Sequence, residues 1–205
     1  MPLVVVCAFA AAPRVSAQEG NRFALGANFT MRAPNSTLTH AAKGPGIAWR
    51  FGHDQTGWGW HYGLGWYSLD VDRRIGGRTT DLGEIRIRPL MAGYGYTHVL
   101  GRVAVTTDVL GGYSFATFGL STAAREAYLT RLGAQSVDAD VTGSPVVKPE
   151  VGMWLDMTRK MGINVNAAYI IARPRMTISS ALGSDVQRLN ADALVITFGA
   201  VYRIR

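Results

Sequence analysis

The sequence predicts an all-β fold in which eight antiparallel strands, connected in up-and-down order, close into a transmembrane barrel. Apolar and polar residues alternate with a period of two in eight segments, and the connections between those segments alternate between short and long. No segment has the run of about 18 apolar residues that a membrane-spanning helix needs. A closed barrel is the other structure that spans a bilayer, because it pairs every backbone polar group internally.

Composition favours one domain and excludes several functions. The chain has 205 residues, of which 24 are Gly and only 17% are charged, which is too apolar for disorder and too Gly-rich for a helical bundle. The net charge is +7, but the basic residues are scattered, so we expect no nucleic-acid partner. The single Cys, Cys7, lies in the first apolar run, and this argues against zinc ligation and a Cys nucleophile.

The N-terminal segment resembles a secretion signal. Residues 3–12 form an apolar run of ten, which is half of what a spanning helix needs but is typical of a signal peptide. Small residues at Val15-Ser16-Ala17 predict cleavage before Gln18. We therefore predict a signal peptide at 1–17 and a barrel domain at 18–205. The alternative is that this segment is an ordinary first strand or a buried helix.

The predicted strands lie near 22–32, 44–53, 58–70, 82–98, 102–116, 146–158, 162–174 and 190–204. Tight turns are predicted at 54–57, 99–101 and 159–161, whereas the connections at 33–43, 71–81, 117–145 and 175–189 are long. Membrane barrels have short turns on the periplasmic side and long loops outside. This pattern predicts that both termini lie in the periplasm.

The longest connection contains a candidate helix at 121–132. Ala124, Tyr128 and Leu132 recur at helical spacing, and Gly133 is a candidate C-cap. The helix is either a ligand-contacting element on the surface or a lid folded over the mouth of the barrel.

The third segment indicates which face meets lipid. Trp58, Trp60, Tyr62, Leu64 and Trp66 share one face, opposite Gly59, His61, Gly63 and Gly65. The interior of an eight-stranded barrel is only just wide enough for side chains, so these aromatic residues would overfill it. We therefore expect the aromatic face to point into lipid.

The opposite faces carry charges of both signs, which we predict to form a structural network in the lumen. Its members are Arg32, Arg50, Glu84, Arg86, Arg88, Asp108, Lys148, Glu150 and Asp156. The fourth segment is irregular, because strand alternation places Tyr94 and Tyr96 on the same face as its charged residues. Either a bulge near Pro89 switches the faces, or the two tyrosines cap the lumen.

On these patterns the chain resembles the small eight-stranded bacterial outer-membrane barrels, the superfamily of OmpX, OmpW and the OmpA membrane domain. The runs RIRPLMAGYGYTHVLGR and DVLGGYSF also look like those of porin-like barrel proteins. The resemblance implies an outer-membrane location, with membrane lipid, lipopolysaccharide and the barrel-assembly machinery as partners. Such barrels usually end in an aromatic residue that this machinery recognises, whereas here the aromatic position is Tyr202; insertion is then either inefficient or guided by Tyr202.

Three functions are compatible with the sequence. The leading hypothesis is a non-enzymatic, monomeric barrel with a charged, plugged lumen and outward-facing loops, without cofactor or metal. The second is a narrow channel for small or hydrophobic solutes, whose lateral opening would show as broken strand pairing near Pro89, Pro149 or Pro174. The third is a lipid-modifying enzyme, for which His40, His53 and His98 are candidate bases, although no recognisable Ser motif accompanies them.

Overall fold

The computed structural model describes residues 23–34, 42–51, 56–134 and 136–204, so the predicted signal peptide lies outside the described residues. In these parts of the chain, no helix combines the length and hydropathy needed to cross a bilayer. The elements are β1 (Phe23–Pro34), β2 (Ala42–Phe51), β3 (Gly57–Gly65), β4 (Tyr67–Ile75), β5 (Arg78–Leu100), β6 (Val103–Leu120), α1 (Thr122–Leu132), β7 (Val137–Thr142), β8 (Ser144–Asp156), β9 (Met161–Ala172), β10 (Arg175–Ser180), β11 (Gly183–Arg188) and β12 (Ala193–Ile204).

Eight strands form a closed antiparallel barrel, which confirms the predicted fold class. The ring runs β1-β2-β3-β5-β6-β8-β9-β12 and returns to β1 through the β1–β12 ladder. Phe23 pairs with Ile204, so both described chain ends lie at the same end of the barrel as the tight turns after β5 and β8. We call this the turn end and the opposite end the loop end.

The loop end is built from ordered strands and a helix. The connection predicted at 71–81 is instead a hairpin, because β4 and β5 continue to a two-residue turn at Gly76 and Gly77. Both glycines have positive φ, 57° and 84°, which suits the tight turn of a hairpin. A separate three-stranded sheet of β7, β10 and β11 occupies most of the predicted connection at 175–189 and, through β7, a short part of the one at 117–145.

Helix α1 forms at the predicted position. Ser121 is its N-cap, accepting a hydrogen bond from the Ala124 backbone N–H, and Gly133 ends it in the left-handed conformation. The helix packs against β4 and β5 through Ala124, Ala127 and Tyr128, which are buried. Leu132 is 41% exposed, so the predicted apolar face is shorter than the sequence pattern indicated.

The outer wall carries an apolar belt. On β5 the outward residues from Leu90 to Leu100 span ten residue steps, which at about 3.3 Å per residue and a tilt of about 40° is roughly 25 Å. Large apolar side chains are exposed around this belt, including Trp58 at 59% and Phe115 at 57%. This height matches the apolar band of membrane barrels.

Aromatic residues border the belt at both ends. Near the turn end, Trp58 stacks on Tyr94 with ring centroids 5.5 Å apart. Nearer the loop end, Tyr113 and Phe115 make an edge-on contact at 5.2 Å. Aromatic girdles at two levels are typical of proteins that sit in a bilayer.

The lumen has two layers. Its loop-end half and the space under α1 are filled by apolar side chains, among them Tyr67, Ile87, Met91, Leu110 and Ile170. The turn-end half is polar and charged. The sequence predicted a charged lumen but not the apolar layer above it.

Candidate functional site in the lumen

Six polar side chains converge in the turn-end half of the lumen. We call them the lumen cluster: Arg50, His61, Thr106, Asp108, Lys148 and Glu150. Strand ladders bring them together in pairs, since Arg50 is opposite His61 on β2 and β3, and Asp108 is opposite Glu150 on β6 and β8. The inward alternation of each strand points the side chains at one another.

Polar contacts of the cluster cross the lumen. His61 Nδ1 lies 2.8 Å from Asp108 Oδ2, although β5 separates their strands in the wall. Arg50 Nη1 donates a hydrogen bond to Thr106 Oγ1 at 2.5 Å, across two intervening strands. Glycines on β3 at positions 59 and 63 leave room beside His61 for these long side chains. The contacts therefore join strands that are not neighbours in the wall, through the interior of the barrel.

The charges of the cluster are buried and balanced. Arg50, Asp108 and Glu150 are 8%, 4% and 5% exposed, and Lys148 forms an ion pair with Glu150. Two cations therefore face two carboxylates, with His61 beside Asp108. Such balance is required because an uncompensated buried charge is strongly destabilising.

A smaller group closes the turn end below the cluster. Arg203 on β12 donates to Asp156 Oδ1, and Trp154 Nε1 donates to the same oxygen at 2.9 Å. Asp156 therefore lies in the lumen, as predicted, but with Arg203 as its partner. In the sequence of the last strand, Arg203 alternates onto the same face as Thr197 and Gly199, opposite Phe198 and Tyr202, and this was the available signal.

Arg32 lies in the lumen among the apolar residues. It is 6% exposed, and its guanidinium carbon is 3.1 Å from the centroid of the Tyr67 ring. A cation over an aromatic face is attracted by the ring quadrupole, most strongly where water is excluded. The sequence placed Arg32 in the lumen but did not identify an aromatic partner.

The placement of three predicted lumen residues was wrong. Glu84, Arg86 and Arg88 lie on the outer face, where the Arg86 and Glu84 side chains are 66% and 37% exposed. Both alternatives proposed for this segment were also wrong. The β5–β6 register is continuous from Gly83 to Leu100, so no bulge forms near Pro89.

The two tyrosines therefore share the outer face with the arginines. Tyr94 and Tyr96 are 44% and 40% exposed and contact Trp58 rather than the lumen. The polarity of the two faces reverses above the belt, where the outer surface is no longer apolar. Charged residues then point outward and Ile85 and Ile87 inward, with no change of register.

The three prolines at which the channel hypothesis would place a lateral opening lie at gaps in pairing or at a strand end, although the β5–β6 and β6–β8 ladders run unbroken past Pro89 and Pro149. The β3–β5 ladder stops at Leu64–Leu90 and the β4–β5 ladder resumes at Tyr67–Ile87, with Pro89 in the gap. The β8–β9 ladder skips Lys148 and Pro149, and Pro174 separates β9 from β10. Proline lacks the N–H that a ladder needs, which explains these positions.

The wall is also weakened between β2 and β4. The ladder between β2 and β3 ends at Gly46–Gly65. One further hydrogen bond joins the Trp66 backbone N–H to the Pro45 carbonyl at 3.0 Å. Beyond it, in the ranges the structure describes, β4 has a ladder only with β5. The wall beside the apolar layer therefore lacks continuous pairing here.

Part of the lumen cluster has the composition of a metal site. Ligand atoms of His61, Asp108 and Glu150 lie within 4.8 Å of one another. However, His61 already contacts Asp108, and Glu150 is paired with Lys148. Both carboxylates already have side-chain partners, and Arg50 and Lys148 balance their charge in the same layer, so this arrangement fits an ion-pair cluster better than a metal centre.

Of the three candidate catalytic histidines, the structure describes one, His98. His98 is exposed near the turn end, and His40 and His53 lie outside the described residues. His61, which the sequence placed on the polar face, is the histidine that contacts a carboxylate. The lumen cluster holds charges in fixed pairs and leaves little space for a substrate.

Two cavities lie within the lumen beside these groups. One, of about 30 Å³, is lined by Arg50, His61, Asp108 and Glu150. The other, of about 50 Å³, is lined by Arg32, Lys148 and Leu110 among others. The smaller corresponds to about two water molecules at roughly 10 to 15 Å³ each on this measure. The polar layer is therefore tightly packed.

The fold is shared with solved barrels of bacterial outer membranes. The outer membrane protein OprG from Pseudomonas aeruginosa is similar at a TM-score of 0.76, with 14% identity over 90% of this chain and 96% of that one. A major outer membrane protein from Thermus thermophilus is similar at a TM-score of 0.60, with 12% identity over 90% of this chain and 100% of that one. Neisserial surface protein A is similar at a TM-score of 0.54, with 12% identity over 89% of this chain and 97% of that one.

No protein-family profile matches the sequence, and the search of curated proteins gave no match. At these identities the structural likeness establishes the architecture, a small eight-stranded outer-membrane type of barrel.

Proposed function

We propose that this chain is a non-enzymatic integral protein of the bacterial outer membrane, with its lumen closed by the lumen cluster. The turn end faces the periplasm, together with both termini, and the loop end faces the exterior. The observation that carries the proposal is the combination of an apolar outer belt of roughly 25 Å with a charged, tightly packed layer inside.

The distribution of apolar surface supports the membrane location. Trp60, Val109, Val151 and Met153 on three strands of the ring are each about half exposed. A soluble protein rarely exposes a contiguous apolar surface of this extent. In lipid the same surface is solvated favourably, and the polar lumen is shielded from the hydrocarbon.

The contacts across the lumen support the plug. Arg50–Thr106 and His61–Asp108 join strands that are not neighbours in the wall, so their side chains occupy the lumen and an ion crossing the barrel would have to displace them. Opposite charges interact strongly in a medium of low dielectric constant, which favours the closed arrangement. The protein would therefore act through its surface and its loops, without conducting ions.

Conductance in planar bilayers tests the plug. We expect the refolded wild-type protein to show no ion-conducting steps, and the double variant Arg50→Ala/Asp108→Ala to show brief, infrequent ones, because the apolar layer above the lumen cluster stays in place. A matched control removes an exposed ion pair, Arg73→Ala/Asp185→Ala, whose atoms are 2.5 Å apart in the loop-end region. Regular ion-conducting steps in the wild-type protein would refute the plug.

A second candidate function is passage of small hydrophobic solutes through the side of the barrel. The specific observations are the apolar layer in the loop-end half of the lumen and the incomplete pairing between β2 and β4 beside it. A hydrophobic solute would enter from outside, remain above the lumen cluster and leave through the wall into lipid.

Two equivalent glycine substitutions test this candidate. A Cβ added at Gly63 meets Met91 at 3.9 Å inside the lumen, whereas one added at Gly111 meets nothing within 4 Å on the lipid face. We expect Gly63→Leu to slow uptake of a fluorescent fatty acid by vesicles that contain the protein, and Gly111→Leu to leave it unchanged. Equal uptake by both variants and by protein-free vesicles would exclude the passage function.

A further inference from the structure

The structure contains a cavity on the outer wall that the lumen does not explain. It has a volume of about 260 Å³ and lies where β2, β3, β4 and β5 meet. The side chains around it that alternate toward the outside are Pro45, Trp66, Ser68, Glu84, Arg86 and Arg88. The cavity therefore faces the surroundings of the barrel.

Its depth matches that of lipid headgroups. Leu90 is the last apolar outward residue of β5, and Arg88 is the next outward residue above it. Phe115, which pairs with Arg88 across the β5–β6 ladder, is part of the aromatic border of the belt. Arginine just above an apolar belt can keep its stem in hydrocarbon while its guanidinium reaches the polar layer.

The charges are arranged for an anion. Arg86 Nε and Nη2 both donate to one Glu84 oxygen at 3.2 Å, so this carboxylate offsets one of the two guanidinium charges. Among the described residues, Arg88 has no carboxylate within ion-pairing distance. The cavity thus has two guanidinium groups, a single carboxylate and an excess positive charge.

We infer that this cavity, bordered by Trp66, Arg86 and Arg88, binds the phosphate group of a membrane lipid. Guanidinium groups recognise phosphate through paired N–H donors, and Trp66 provides an aromatic surface at the membrane interface. At roughly 10 to 15 Å³ per water molecule, as for the lumen cavities, the volume of about 260 Å³ would hold more than fifteen water molecules, which leaves room for a phosphate group. In the proposed orientation this lipid belongs to the outer leaflet, so its phosphates are those of lipopolysaccharide.

The inference rests on the proposed membrane location, and its test separates the two. Wild type and variants are refolded in detergent micelles, and the faster gel migration of unheated protein verifies the barrel in each. Binding of diphosphorylated lipid A and of lipid A without phosphates is then measured by titration calorimetry. A barrel that folds without binding either lipid would overturn the site alone.

We expect wild type to prefer the phosphorylated lipid and Arg86→Gln/Arg88→Gln to bind it about tenfold or more weakly, with no preference left. The control Arg78→Gln/Arg125→Gln removes the same charge from exposed positions away from the cavity. An equal loss of affinity in this control would show that positive charge anywhere on the protein attracts the lipid, and it would overturn the inference. Displacement of the lipid by an equal concentration of inorganic phosphate would overturn the assignment to a lipid.

Discussion

Placing a charge on the lipid-facing side of β8 should destabilise the barrel in proportion to its depth. Met153 is 49% exposed on the outer face and lies four residues from Met157 at the turn end. At about 3.3 Å per residue and a tilt of about 40°, this puts it roughly 10 Å inside a belt of roughly 25 Å. Met153 is therefore close to the middle of the belt.

We expect Met153→Arg to reduce the free energy of unfolding by about 2 to 4 kcal/mol, the usual cost of a cation near the bilayer midplane. This corresponds to a decrease of about 30-fold to several hundred-fold in the folding equilibrium constant. The cost arises because the guanidinium must shed water or distort the surrounding lipid.

The assay is a urea titration of the protein refolded into phosphatidylcholine vesicles. Val186→Arg is the matched control, since Val186 is 62% exposed on β11, outside the belt, and a surface substitution there costs about 0.5 kcal/mol or less. Equal unfolding free energies for the two variants would show that Met153 does not face lipid. Gly152→Ser is unsuitable as a control, because a Cβ at Gly152 would lie 2.4 Å from Asn166 Oδ1.

Two other substitutions test the interior and the loop end. Glu150→Gln leaves Lys148 without its ion-pair partner in the buried layer, so we expect the free energy of unfolding in the same urea titration to fall by about 3 to 5 kcal/mol. The control Glu126→Gln, on the exposed side of α1, should change it little. A loss no larger than that of Glu126→Gln would contradict the buried ion pair. Ser121→Ala removes the N-cap and the hydrogen bond to the Asp81 carbonyl, which should reduce the stability of α1 by about 0.5 to 2 kcal/mol. We therefore expect amide hydrogen exchange to become faster in α1 and to stay the same in β6. Unchanged exchange in α1 would show that the cap does not hold the helix.

The sequence was sufficient to predict the parts of the barrel that cross the belt. In β1, β8 and β12 the apolar face meets lipid and the other face meets the lumen, so a period of two identifies both faces. Phe29, Met153 and Phe198 are accordingly exposed on the outside, as expected. Capping residues at Ser121 and Gly133 similarly predicted the helix, because caps are local features of a sequence.

The parts above the belt could not be predicted by the same rule. There the outer face meets water and the inner face meets an apolar core, so polarity reverses while the register continues. In β4, Leu69 and Val71 point inward and Asp70 outward, which resembles a soluble protein. Reading charge as a mark of the lumen therefore misplaced Arg86 and Arg88, although Tyr94 on the same face already indicated the outside.

The partners inside the lumen also depend on three-dimensional closure. Arg50 and Thr106 are 56 residues apart and meet only because the wall curves through β3 and β5. Strand alternation shows which residues point into the lumen, but it contains no information on which side chains of other strands they will contact there. Pairings such as Arg203 with Asp156 therefore required the structure.

Fluorescence quenching tests the central claim, that the outer belt faces lipid, most directly. Trp58 and Trp60 are 59% and 53% exposed on the belt, and Phe can replace the other tryptophans, which are Trp49, Trp66 and Trp154. In vesicles of lipids with brominated acyl chains, we predict strong quenching of the remaining two tryptophans and little quenching by aqueous iodide. Strong quenching by iodide, with none by the brominated lipids, would contradict the account and would mean that this surface faces water.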